Sequence, residues 1–213
     1  MVHYIGYHRT MALIDSKMPP NFKSVQNFSG GDKTRNDSHG LIGDMLKLQK
    51  SFVFQGSGGG VIQKTTTEAI LMTLIAAKDK ALTIISANDV NKLSVYGSDQ
   101  THSTFASRQF SSKHKFNPDD TRWGFSLSPF ELRTVVKTDV TPDLVSVYLC
   151  LNLKTTLTTT TDLVEPLAIV AKGHEIWVHV DAAYVGSACK CLEFRHHLNG
   201  IERIDSLSLS PHK

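Results

Sequence analysis

Residues 176–184 read IWVHVDAAY, and the fold is decided by how this run is taken. Ile176, Val178 and Val180 alternate with other residues over a length suited to a strand, and Asp181 closes the run. Upstream, Asp162 opens DLVEPLAIVAK with a helix-capping residue ahead of a helical apolar pattern. Downstream, SLSLS at 206–210 is a second short strand. Short strands alternating with helical stretches in this way predict an α/β fold: a mostly parallel sheet flanked by helices.

The same alternation extends back along the chain. The pattern predicts strands at SFVFQ (51–55), KLSVYGS (92–98) and LVSVYLCL (144–151). A helix follows in VIQKTTTEAILMTLIAAKDKAL, with Ile70, Leu71, Leu74 and Ile75 on helical spacing and Thr65 and Glu68 placed as a capping box. Ser128-Pro129 and Glu131 mark another helix start. The threonine-rich stretch 153–162 is expected to be a loop. Residues 1–39, rich in Asn, Ser, Gly and charge without periodicity, are expected to be irregular, and residues 40–213 to form the organised domain.

Composition narrows the function. In 213 residues with 40% hydrophobic content there is enough apolar material for a real core. A net charge of +3 with both signs dispersed argues against nucleic acid or an anionic membrane as partner. The N-terminus has charges and histidines in every apolar run, which leaves no signal-peptide core or membrane span there and points to a cytoplasmic protein. Cys150, Cys189 and Cys191 are three in number, the last two too close for an easy bridge, so reduced thiols are expected.

Ligands of open α/β sheets sit beyond the C-terminal ends of the strands. Gly56, Gly58, Gly59 and Gly60, followed by Thr65, Thr66 and Thr67 at a helix start, have the makings of a phosphate cradle; a plain glycine turn before a capped helix is the alternative. Asp181 is either a carboxylate presented at the sheet edge or a cap for the next turn. His102 follows another strand end, and Lys213 follows SLSLS. A lysine amine, a phosphate cradle and a strand-end carboxylate are together the set that holds pyridoxal 5'-phosphate: amine to aldehyde, cradle to phosphate, carboxylate to ring nitrogen. The rival cluster, Cys189, Cys191, His196 and His197, lacks the usual zinc-ligand spacings, and no metal is expected.

These residues lie in strings that resemble the plant aromatic L-amino acid decarboxylases, the tyrosine and tryptophan decarboxylases and aromatic aldehyde synthases among the pyridoxal-phosphate group II decarboxylases. The strings are GLIGDMLKLQKSFVFQGSGGGVIQ, TTTEAIL, YGSDQTHSTFA, FSLSPFELR, WVHVDAAYVGSAC and CLEFRHHLNGIERIDSLSLSPHK. The resemblance implies part of the large domain of a fold-type-I enzyme, a homodimer, and decarboxylation of tyrosine, tryptophan or DOPA to the arylalkylamine and CO₂. It matches Lys213 to the Schiff-base lysine, His212 to its neighbour at the cofactor and His102 to the histidine stacked on the ring. It matches Asp181 to the partner of the ring nitrogen, Ala183 to a residue packed on the ring, Thr66 and Thr67 to phosphate binders and Thr156 to a cofactor contact. Aldehyde synthesis, or a catalytically inactive fragment, are the alternatives.

Two departures stand out. Lys64 and Lys154 occupy positions where the family has glycine, sites of close backbone approach where a side chain is expected to clash or to force a positive-φ strain, with pairing to the phosphate as the alternative for Lys64. The segment 107–124 and residues 1–39 do not resemble the family, and the strand, catalytic loop and domain that follow the lysine in the family have no counterpart here. The expectation is a truncated member with the edge of its last strand uncovered.

Overall fold

The computed structural model describes residues 10–15, 41–52, 59–85, 87–98, 100–101, 125–140 and 144–211. Its strands are β1 (Thr10–Ile14), β2 (Gly59–Gln63), β3 (Leu93–Tyr96), β4 (Val145–Asn152), β5 (Trp177–Ala182) and β6 (Ser206–Leu209). Its longer helices are α1 (Thr66–Leu82), α2 (Pro129–Val140) and α3 (Val164–Lys172). The strands form one sheet in the order β2-β1-β6-β5-β4-β3. From β3 to β6 all pairings are parallel; β1 then runs antiparallel to both β6 and β2. The α/β expectation holds, with α2 and α3 as the crossovers into β4 and β5.

Each sheet face has its own helices. Leu132 and Val136 of α2, with Leu167, Ala168 and Ala171 of α3, pack on Leu149, Leu151, Val178, Val180, Leu207 and Leu209. On the opposite face Ile70, Leu74, Ala76 and Ala77 of α1 meet Ile14, Val95, Tyr148, Cys150 and Trp177. Period-2 alternation sends successive residues to opposite faces, so the leucines of SLSLS enter the first core and its serines turn toward α1.

Three expectations are corrected. Residues 10–14 are not irregular: every residue of β1 is buried, because both faces of the strand are covered and both edges are paired. A short strand with two covered faces shows no alternation, so periodicity misses it. That strand also covers the edge of β6 that was expected to be bare. Second, Lys50–Phe52 is a 3₁₀ turn rather than the start of a strand, its Phe52 plugging the core, while 53–55 lie outside the described residues. Third, Asp162 does not cap α3; the N-cap is Leu163, with no side-chain bond.

Leu13 is fully buried in the core on the α2 and α3 side of the sheet. Leu13→Ala is expected to lose about 2–5 kcal/mol in urea denaturation, whereas an irregular N-terminal segment would leave the midpoint nearly unmoved.

Candidate functional site

Asp181 lies in the last turn of β5, half-buried, in register with Ser208 of β6 and Asn152 of β4. Its Oδ1 accepts the Ala183 N–H at 2.9 Å and the Ser208 hydroxyl at 3.2 Å. The two sequence readings therefore merge: the carboxylate is at the carboxyl edge of the sheet and also caps the turn that follows. That turn approaches β6 closely. A Cβ on Gly186 would sit 2.5 Å from the Ala182 carbonyl oxygen and 3.0 Å from Leu209 Cβ, so only glycine fits. Ala183 is buried beside it.

The candidate cradle is rearranged. Gly59 and Gly60 are not in a loop; they pair with Ile14 and Leu13 inside the sheet, and Gly56 and Gly58 lie outside the described residues. What remains is the start of α1. Thr65 accepts the Glu68 N–H at 3.2 Å, and the Glu68 carboxylate reaches back to the Lys64 N–H at 2.8 Å, one residue earlier than in a standard capping box. Thr66 is buried, 3.5 Å from Thr10 Oγ1, which lies 2.9 Å from Ser210 Oγ. This chain of hydroxyls sets the N-terminus of α1 against the end of β6, with Thr67 half-buried next to it. The helix dipole favours an anion there.

His102, His212 and Lys213 lie outside the described residues. Thr156 is exposed in the turn after β4, where Leu153 donates its N–H to the Asp181 carbonyl at 2.9 Å and the Thr155 and Thr158 hydroxyls bond each other. Lys154, at the family's glycine position, has φ +59°. The left-handed region costs a non-glycine residue about 1–2 kcal/mol, so the expected strain is present at Lys154, whereas Lys64 has no positive φ. Cys189 is buried, its thiol donating to the Phe194 carbonyl, while Cys191 is exposed and the His196 and His197 rings lie 4.1 Å apart.

Two groups of residues were not read as site residues from sequence. Buried Asp162 accepts from the backbone N–H groups of Leu127 (2.8 Å) and Asn152 (2.7 Å) and from Ser126 Oγ (3.3 Å). Burial pushes this carboxyl up from its ordinary value while those donors oppose the rise. Asn152 Nδ2 in turn donates to Ser98 Oγ at 3.2 Å and Thr101 Oγ1 at 3.1 Å, fixing the chain that leads into residue 102. The second group is His179. It is wholly buried on β5, between Ser206 and Ser208 of β6, with Tyr148 stacked at 5.9 Å. Burial lowers its imidazole from 6.5 to about 3, the Ser206 backbone opposing. Its only sequence signal was a histidine at a position whose neighbours, by period, face a core.

The architecture is thus an open α/β sheet with a carboxylate and a helix N-terminus gathered at its carboxyl edge, the class that binds small ligands there. A family model described as the pyridoxal-dependent decarboxylase conserved domain matches residues 39–213. Tryptophan decarboxylase TDC2 of Camptotheca acuminata is 54% identical over 177 residues, which is 81% of this chain and 36% of that one. Phenylacetaldehyde synthase of a Rosa hybrid cultivar is 48% identical over 179 residues, 81% of this chain and 35% of its own. The structure of Catharanthus roseus tryptophan decarboxylase in complex with L-tryptophan superposes with a TM-score of 0.80 at 47% identity, over 85% of this chain and 40% of that chain. That of Oryza sativa TDC with PLP and tryptamine does so with a TM-score of 0.80 at 37% identity, over 94% and 46%. The chain belongs to the pyridoxal-dependent decarboxylase family, and it spans about a third of the length of the curated relatives it matches.

Asp162→Asn is expected to cost about 1–3 kcal/mol in urea denaturation, because an amide sets N–H against N–H where the carboxylate accepted. For His179, the unfolded chain binds a proton between about 6.5 and about 3 that the folded chain refuses. Its contribution to stability is therefore full above the higher value and is lost as pH falls through that window, at up to about 1.4 kcal/mol per pH unit. Denaturation at a series of pH values measures the slope, and the difference between wild type and His179→Gln isolates it.

Proposed function

We propose that the chain carries the cofactor-binding region of a pyridoxal-phosphate-dependent decarboxylase acting on an aromatic L-amino acid: tyrosine, tryptophan or DOPA. The observation that carries this is the meeting of Asp181 and the N-terminus of α1 at one edge of the sheet, where Thr66 reaches β6 through Thr10 and Ser210. The donor set fits the cofactor's parts. The helix N-terminus, with Thr66 and Thr67, suits a phosphate dianion, and Asp181 suits a ring nitrogen that must stay protonated.

When bound, pyridoxal phosphate supplies a protonated ring that accepts the electron pair left as a carboxylate departs as CO₂. Asp181 holds the proton at the ring nitrogen. Ala183 would pack on the ring, Thr66 and Thr67 would bind the phosphate at the start of α1, and Lys213 would hold the aldehyde. His102 would orient the ring, with His212 and Thr156 as further contacts. These roles follow the motif matches of the sequence. The homodimer and the cytoplasm are proposed with them; the described cysteines are free, which suits a reducing compartment. Among the described residues no helix is long and apolar enough to cross a membrane.

Addition of pyridoxal phosphate to the purified protein, borohydride reduction and peptide mapping are expected to place the label on Lys213, and incubation with the three amino acids to release CO₂ with the matching amine. A folded protein without the label would overturn the proposal. The 48% identity to phenylacetaldehyde synthase supports one other outcome, an arylacetaldehyde in place of the amine, which the same incubation distinguishes.

A further inference from the structure

Five polar side chains line up between β5 and β6 on the α1 side of the sheet. Register pairs His179 with Ser206 and Asp181 with Ser208, and residues two apart share a face. Trp177 Nε1 lies 2.8 Å from Ser206 Oγ, which lies 2.8 Å from His179 Nδ1. On the far side of the ring, Nε2 lies 3.3 Å from Ser208 Oγ, which lies 3.2 Å from Asp181 Oδ1. Ser206, Ser208 and His179 are all fully buried, so each of their polar atoms needs a partner in the protein.

The inventory of protons gives the row a direction. A carboxylate only accepts, so the single Ser208 proton goes to Asp181, where the charge makes the stronger bond. Ser208 is then an acceptor toward His179, and Nε2 carries the hydrogen. The Ser206 backbone also meets the ring, but a buried neutral imidazole has one N–H, and with it on Nε2 toward Ser208, Nδ1 accepts and the Ser206 proton points to it. Ser206 in turn accepts from the indole, which only donates.

We propose that Trp177, Ser206, His179 and Ser208 form a one-directional hydrogen-bond relay ending on Asp181, and that His179 and Ser208 are positioning residues for that carboxylate. The role toward the cofactor rests on the function proposed above; the relay itself does not. With Oδ1 held by both Ser208 and the Ala183 N–H, the carboxylate plane is fixed and its negative charge stabilised before any ligand arrives. The reverse arrangement, with the hydrogen on Nδ1, would turn the Ser208 proton to the ring and take it from Asp181.

The test has two arms on the full chain. Long-range ¹H–¹⁵N NMR of histidine-labelled protein at neutral pH is expected to find His179 as the neutral Nε2–H tautomer. The Nδ1–H tautomer or a cation would overturn the relay, with or without cofactor. In the second arm, Ser208→Ala is expected to raise the Kd for pyridoxal phosphate about tenfold, the worth of one charge-assisted bond. His179→Gln, whose amide carbonyl accepts from Ser206 and whose amide N–H donates to Ser208, is expected to stay within about threefold of wild type. An unchanged Kd in Ser208→Ala, or a loss in His179→Gln as large as in His179→Ala, would overturn the positioning role. If wild type binds no pyridoxal phosphate, the proposed function fails and the positioning role with it, while the tautomer still decides the relay.

Discussion

Strand β6 is only four residues long, and the arrangement of the sheet's carboxyl edge is inherited from how firmly it is held. Both of its edges are paired, to β5 and to β1, so its backbone groups have partners without water. Asp205, just before it, fixes the register. Its backbone N–H reaches the Val178 carbonyl, its carbonyl takes the Asp15 N–H, and its carboxylate takes both the Val178 N–H and Lys172 of α3 at 2.5 Å. A nearly fully buried carboxylate is tolerated because a cation and a backbone donor meet it there. A slip of one residue would exchange the serines and leucines of β6 between the two faces.

The sheet therefore has one apolar face and one mixed face. On the α2 and α3 side, leucines, valines and isoleucines fill the space. On the α1 side, the residues nearest the carboxyl edge are hydroxyls, an imidazole and a carboxylate, while Trp177 and Leu93, the first residues of β5 and β3, lie buried at the opposite end. On β5 polarity thus rises from Trp177 through His179 to Asp181, toward the edge where a ligand belongs, while β6 presents serines along its length. The buried hydroxyls are linked to one another rather than left isolated, which limits the desolvation cost of placing them between a sheet and a helix.

Much of this was legible in the sequence. β3 to β6 and the starts of α1 and α2 announce themselves through alternation, capping residues and proline placement, all local signals. Asp181 was legible because an acid at the end of an apolar strand contradicts its surroundings. β1 was not, since its pattern becomes intelligible only once both partners and both covering layers exist. For the same reason Gly59 and Gly60 looked like a loop, although they pair in a strand. Asp162 resembled a cap by position, yet its donors come from residues 126, 127 and 152, a convergence that no spacing rule encodes. Lys154 is the reverse case: backbone strain there was foreseeable from a departure at a glycine position, although the same departure at Lys64 left no positive φ.

The pairing of β1 with β6 has a kinetic side. Thr10 and Ser210, whose hydroxyls meet, are 200 positions apart in the chain. Closing so long a loop carries a large entropic cost before any contact rewards it, and non-local pairing of this kind slows folding. The units from β3 to β5, each strand separated from the next by one local crossover, can organise first. β1 and β2 are themselves an antiparallel pair, so they can dock together as a unit. The carboxyl edge thus takes its shape late, when the first and last described strands find each other, and until then β6 presents an open edge to other chains.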